Sequence, residues 1–134
     1  MPRFTFYTYE DATPFTTDDI EHGRKSVIVL FDTNCSHCQA EIDSIGKHYD
    51  EFKKVDIYLI TLDAKPEIER FMNTYGAALN GKNNVAILLD TNREFIPKFQ
   101  PTKYPALYVY SENKKLIKYF AGQNDIKEIV KATK

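Results

Sequence analysis

Cys35-Ser36-His37-Cys38 constrains this chain more than any other stretch. These are its only two cysteines. They stand where an apolar run, Val27 to Phe31, passes through Asp32-Thr33-Asn34 into a helical pattern. A cysteine pair at this spacing, where a strand hands over to a helix, is the arrangement for reversible dithiol–disulfide chemistry. Such exchange proceeds by thiolate attack, so the attacking sulfur must be reachable and its anion stabilised. A helix N-terminus offers the Cys35 sulfur unpaired N–H groups and partial positive charge. His37, between the two cysteines, can add positive charge or a hydrogen bond to the same thiolate.

The helical phase assigns the two sulfurs different tasks. Cys38, Ile42, Ile45, Tyr49 and Phe52 recur every three or four residues, which is one helical face. Gln39, Glu41, Asp43, Lys47, Asp50 and Lys54 take the remaining, polar positions. Cys38 therefore belongs to the buried stripe as the resolving thiol, and Cys35 sits at the helix mouth as the nucleophile. Asp32, three residues before Cys35, could repel the thiolate and oppose His37, and is read instead as a solvated turn residue. Two other readings of the pair compete. A structural zinc normally takes four ligands, and no second cysteine pair exists; His22 is remote in sequence, and His48 falls beside the apolar stripe near the far end of the helix. A purely structural disulfide at this spacing closes a strained, readily reduced ring. No metal and no cofactor beyond the Cys35–Cys38 disulfide is expected.

The rest reads as a scaffold for this turn. Residues 3–9 alternate aromatic and polar as a strand, and 10–25 are turn and loop with a short strand near Phe15. Residues 26–32 suit a strand buried on both faces. Val55 to Leu62 is a strand, and Pro66 opens a helix with Ile68, Phe71, Met72 and Tyr75 on its apolar face. Val85 to Leu89 is a strand, and Asp90-Thr91-Asn92 supplies caps for a short helix through Phe99. Ala106 to Tyr110 and Leu116 to Ala121 form a hairpin, after which Asn124 caps a last helix. Alternating strands and helices predict parallel, right-handed crossovers through the middle, and the hairpin makes the sheet mixed. The fold class is α/β, a central mixed sheet flanked by helices, in one domain over 1–134.

With 43% hydrophobic residues, 28% charged and a net charge of −1, the composition is that of a soluble globular domain. The balance argues against a nucleic acid or anionic membrane held by charge. No apolar segment reaches the length of a membrane span, and Met1-Pro2-Arg3 leads directly into strand-like sequence rather than a signal peptide.

The chain resembles thioredoxin-fold proteins, and within that superfamily is most similar to the TlpA/ResA-like thiol–disulfide oxidoreductases. The resemblance rests on the buried strand before Cys35-Ser36-His37-Cys38, the extra strand–helix insertion between 55 and 89, Tyr104-Pro105 before a strand, and the Leu116 to Gly122 arm. It implies that Glu41, three residues after Cys38, assists proton transfer; the bland alternative is an exposed first-turn acid at the positive helix end. It implies that Pro105 is the family's cis-proline beside the disulfide, with Tyr104 offering its backbone to a bound polypeptide. Three departures stand out. Asn34 occupies the place of the family's usual tryptophan at the substrate platform, the central dipeptide Ser36-His37 lacks proline, and Ala106 follows Pro105 where relatives often carry a hydroxyl. A histidine before the second cysteine also resembles the DsbA-type oxidases, so the direction of electron flow stays open.

The resemblance implies a protein oxidoreductase acting on thiol- or disulfide-bearing proteins together with a redox partner protein. It implies a reductant of envelope disulfides of the cytochrome-maturation type. It also implies a monomer and a periplasmic or cell-envelope location with the signal or anchor removed, a cytoplasmic location being the alternative. Two other functions compete: a thioredoxin-fold binding module or metal chaperone, and a thiol peroxidase. The first is disfavoured because copper carriers on this fold usually space their cysteines by three. The second is disfavoured because no arginine lies near Cys35 in the sequence.

Overall fold

A computed structural model describes residues 1–134. The elements run β1 (Thr5–Thr8), β2 (Pro14–Thr16), β3 (Ser26–Leu30), α1 (Ser36–Lys47), β4 (Asp56–Thr61), α2 (Lys65–Thr74), β5 (Val85–Leu89), α3 (Phe95–Phe99), β6 (Ala106–Tyr110), β7 (Leu116–Ala121) and α4 (Ile126–Thr133). Short 3-10 turns occupy Thr17–Asp19 and Tyr49–Phe52. All seven strands form one mixed sheet in the order β2-β1-β5-β4-β3-β6-β7. This is the thioredoxin-like α/β arrangement expected.

β3 lies inside this sheet and every residue of it is buried. Successive strand side chains point to opposite faces. Val27 and Val29 accordingly pack with Cys38, Ile42 and Ile45 of α1, Ile68 and Phe71 of α2, and Ile129 of α4. Ile28 and Leu30 face the other way, into an aromatic layer of Phe4, Phe6, Phe95, Phe99 and Tyr108. The apolar run therefore serves two cores at once, and the motif that follows it emerges from a rigid base.

β3, β4 and β5 are parallel as expected, but β6 runs antiparallel to β3, with Leu30 opposite Ala106. The crossover expected between β5 and β6 does not form. A parallel return must travel the full height of the sheet, about 16 Å for five residues. Of the sixteen residues between β5 and β6 only the five of α3 are helical. That helix spans about 7.5 Å, and the turns around it leave the chain at the same end of the sheet. β6 thus starts at the sheet end where β3 and β5 finish. That reversal sets Pro105 beside the residues that follow Leu30.

Two helix boundaries also differ from expectation. α1 stops at Lys47, because His48 leaves the helical region (φ −110°, ψ 26°) and its Nδ1 bonds the Ser44 carbonyl at 2.9 Å. Asn84 then holds the Tyr49–Phe52 turn, donating to the carbonyls of Phe52 and Val55 at 3.1 and 2.8 Å. Phe52 remains fully buried. At α4 the N-cap is Asp125, whose carboxylate accepts from Lys127 N at 3.0 Å, and not Asn124.

Candidate active site

The loop from β3 to α1 is fixed by its own polar groups. Asp32 accepts the Cys35 N–H on its carbonyl at 3.1 Å and the Asn34 N–H on its carboxylate at 2.8 Å. Asp63, after β4, accepts the Thr33 N–H at 2.7 Å, and Gln39 donates to the Thr33 carbonyl at 3.0 Å. Asp32 is thus half-buried and builds the turn, rather than standing free in solvent as the sequence suggested.

Cys35 is the N-cap of α1, and its sulfur accepts a hydrogen bond from the Cys38 N–H at 3.4 Å. This satisfies one of the N–H groups a helix start leaves unpaired and aims the helix's positive end at that sulfur. Cys35 is partly exposed and Cys38 has no exposure; both are free thiols. Burial pushes the Cys38 thiol well above its ordinary value, and the neighbouring Cys35 and Asp32 add to this against a backbone hydrogen bond from Asp32. Asn34 and Ser36 are exposed on either side of Cys35.

The Tyr104–Pro105 peptide is cis. Pro105 is buried, and Tyr104 is half-buried against the same core as Cys35 and Cys38. The Tyr104 N–H and C=O make no hydrogen bond within the chain, which leaves a short backbone edge beside the motif. Burial raises the Tyr104 phenol, helped by the negative groups of Asp32, Cys38, Asp63 and Asp90.

Glu41 departs most from expectation. It sits in the second turn of α1, only 1% exposed, and is not a solvated first-turn acid. Its Oε1 accepts the backbone N–H of Asn124 at 2.9 Å, while its Oε2 is buried with no partner. Burial lifts its carboxyl to about 7, against the partial relief of the Asn124 bond. Cys38 and Glu41 are three residues apart on one helix and so lie on neighbouring positions of one face. A binary polar–apolar reading has no way to place a carboxylate in the core; only the resemblance to the TlpA/ResA-like proteins pointed to it.

His37 makes no hydrogen bond to the Cys35 sulfur. The hydrogen bond on the Cys35 sulfur comes from Cys38, whereas His37 Nδ1 meets Gln123 Oε1 at 3.0 Å across a groove of about 500 Å³. That groove is lined by His37, Lys103, Tyr104 and the Gly122–Asp125 segment. Sequence reasoning missed Gln123 and Asn124, which lie more than eighty residues from the motif. It also missed Arg70, which α2 carries to a pocket with Thr33 and Asn34, so the absence of a nearby arginine held only along the chain. No group of three or more His, Cys, Asp or Glu side chains is arranged to hold a metal ion.

The AhpC/TSA family model matches residues 1–119. The chain belongs to the AhpC/TSA family. Within this thioredoxin-like family its similarity runs to the TlpA/ResA-like proteins. It is 23% identical over 124 residues to the thiol–disulfide oxidoreductase ResA of Bacillus subtilis, covering 84% of this chain and 66% of that protein. The chain thus spans about two thirds of that relative's length. Among solved structures, MTB dsbF in its mixed oxidized and reduced forms superposes with a TM-score of 0.79 at 21% identity, covering 97% of this chain and 92% of that one. StoA from Bacillus subtilis superposes with a TM-score of 0.74 at 17% identity, covering 100% and 98%.

Proposed function

We propose that this AhpC/TSA-family chain is a protein thiol–disulfide oxidoreductase working through Cys35 and Cys38. The observation that carries the reading is the position of Cys35: a partly exposed helix N-cap, with the buried Cys38 thiol one turn behind it. The kinship with proteins named thiol–disulfide oxidoreductases supports it.

In the reducing direction, the Cys35 thiolate attacks one sulfur of a client disulfide. The client S–S bond breaks, a Cys35–client mixed disulfide forms, and one client thiolate leaves. Cys38 must then lose its proton in a buried setting that disfavours the anion. Glu41 accepts it on the unpartnered Oε2; a carboxyl poised near 7 is matched to that task around neutral pH. The Cys38 thiolate attacks the Cys35 sulfur, closing the Cys35–Cys38 disulfide and releasing the second client thiolate. Two electrons pass to the client, and a dithiol partner protein restores the pair. Tyr104 and Pro105 supply the edge on which the client backbone lies, and Asn34 and Ser36 flank the point of attack. No other cofactor takes part.

The clients in this reading are disulfides of envelope proteins, of the kind handled in cytochrome maturation, and the chain works there as a monomer. No helix of the structure is long and apolar enough to cross a membrane.

The deciding test is the reduction potential of the Cys35–Cys38 pair, by equilibration against glutathione and dithiothreitol with thiol trapping, together with insulin reduction. A reversible couple near thioredoxin's, about −270 mV, is expected of a reductant; one near DsbA's, about −120 mV, would make the protein an oxidant. A pair with no reversible couple and no insulin turnover would remove the enzyme reading in favour of a binding module. Peroxide consumption without disulfide exchange would instead indicate a peroxidase.

A further inference from the structure

A second pocket adjoins the motif on the side away from the His37 groove. It is a cleft of about 190 Å³ between the loop carrying Asn34 and the outer turns of α2, lined by Thr33, Asn34, Glu67, Arg70, Phe71, Thr74 and Tyr75. Two polar atoms in its wall are buried without a hydrogen-bond partner: Thr33 Oγ1, on a residue only 8% exposed, and Glu67 Oε2. Buried polar atoms are nearly always paired, and the Glu67 side chain as a whole is 42% exposed, so its carboxylate is open to a partner arriving from solvent. Both atoms can accept a hydrogen bond, and one belongs to a carboxylate, so a cationic N–H group is the chemistry that suits the two together.

The surroundings agree. The carboxylates of Asp32 and Asp63 bond the N–H groups of Asn34 and Thr33, and so stand directly behind the loop wall of the cleft. The one cation present is Arg70, whose side chain is 72% exposed at the rim and reaches only the other Glu67 oxygen, at 3.9 Å. Acidic groups therefore outweigh it. The remaining wall is aromatic: Phe71 is buried and Tyr75 half-exposed, their centroids 5.5 Å apart. Rings of this kind take the aliphatic stem of a long side chain, and their faces attract its charged head.

We propose that this cleft is a specificity pocket for a lysine or arginine side chain of the client polypeptide, close in its chain to the cysteine that Cys35 attacks. The proposal rests on the oxidoreductase reading and names the client chemistry that reading lacks. Asn34, at the pocket mouth, immediately precedes Cys35. A client whose sulfur reaches Cys35 can therefore set a neighbouring side chain against Thr33 and Glu67 while its backbone lies along Tyr104.

The test uses disulfide-linked peptide pairs that differ only in lysine against norleucine, one or two residues to either side of the cysteine, with dithiothreitol as reductant. At low salt, kcat/KM is expected to favour the lysine peptide about tenfold in at least one of these registers, the size of one charge-assisted hydrogen bond. Glu67→Gln should bring that ratio close to one and leave the rate with the norleucine peptide unchanged. Equal rates for both peptides in every register, or a preference that survives Glu67→Gln, would overturn the proposal. Failure with every peptide and with insulin would count against the oxidoreductase reading instead. The pocket is then read separately, by titrating serine versions of the peptides into 15N-labelled protein. Shifts of the Thr33, Asn34 and Glu67–Tyr75 amides with lysine but not norleucine support the pocket, and no difference overturns it.

Discussion

Glu41 and Asn124 are 83 residues apart in sequence and joined by one hydrogen bond, from the Asn124 backbone N–H to Glu41 Oε1 at 2.9 Å. It ties the motif helix to the segment that lines the groove beside His37. It also supplies the only hydrogen bond to a carboxyl that burial lifts from 4.5 to about 7. The folded chain therefore holds this proton to higher pH than the unfolded chain. The stabilisation is fully present below about pH 4.5 and is lost as pH rises towards 7. The span corresponds to roughly 3 kcal/mol. Glu41→Gln keeps the acceptor for Asn124 and removes the titration. Urea unfolding of the reduced protein at pH 4.5 and pH 8 should show wild type losing about that much relative to the variant. Parallel pH profiles would show that Glu41 does not hold its proton near neutrality.

The same carboxyl is assigned a kinetic role, and a separate experiment reads it. Cys38→Ser should accumulate the Cys35–client mixed disulfide, visible by mass spectrometry, because no second thiol can resolve it. Cys35→Ser should form no adduct at all. Glu41→Gln should leave the first attack unchanged and slow resolution tenfold or more, within the range general-base removal produces. Its pH–rate profile should lack the limb near 7. An adduct on Cys38 in the Cys35→Ser variant would reverse the assignment of the two sulfurs.

Much of this was legible in the sequence because the strands are short, apolar and cleanly bounded. Val27 to Leu30 must be buried on both faces, and the structure gives each face its own core. The cysteine phase followed from spacing alone. What escaped depends on contacts between distant segments. Glu41 reads as polar surface until Asn124 is brought over it. β6 reads as one more parallel strand until the shortness of α3 is set against the height of the sheet. Arg70 and Glu67 lie outside the apolar face of Ile68, Phe71, Met72 and Tyr75, and only the folded chain brings them beside Thr33 and Asn34.

His37 and Gln123 form the next testable pair. With Gln123 Oε1 as acceptor, His37 Nδ1 donates, which anchors the imidazole beside the groove at the mouth of α1. Positive charge there favours the reduced, anionic form of Cys35 and raises the reduction potential. His37→Ala should make the couple more reducing by about 30 mV or more, a tenfold change in the exchange equilibrium. Gln123→Leu, which frees the ring, should shift it the same way by less. A potential unmoved by His37→Ala would restrict the ring to docking.

Asp90 carries a prediction about the scaffold. It is 2% exposed, and its two carboxylate oxygens accept the N–H groups of Glu94 and Phe95 at 2.9 and 3.0 Å, where α3 begins. A five-residue helix has little stability of its own, so these bonds decide whether it forms. They hold Phe95 and Phe99, stacked at 4.2 Å, against Phe4, Phe6 and Tyr108. Asp90→Ala leaves the buried N–H of Phe95 and the half-buried N–H of Glu94 without acceptors and should lower the unfolding free energy by about 2 kcal/mol. Asp90→Asn keeps one carbonyl acceptor and should lose about half as much. The urea midpoints of the two variants check this, and equal losses would mean that charge, not acceptor number, is what α3 requires at its start.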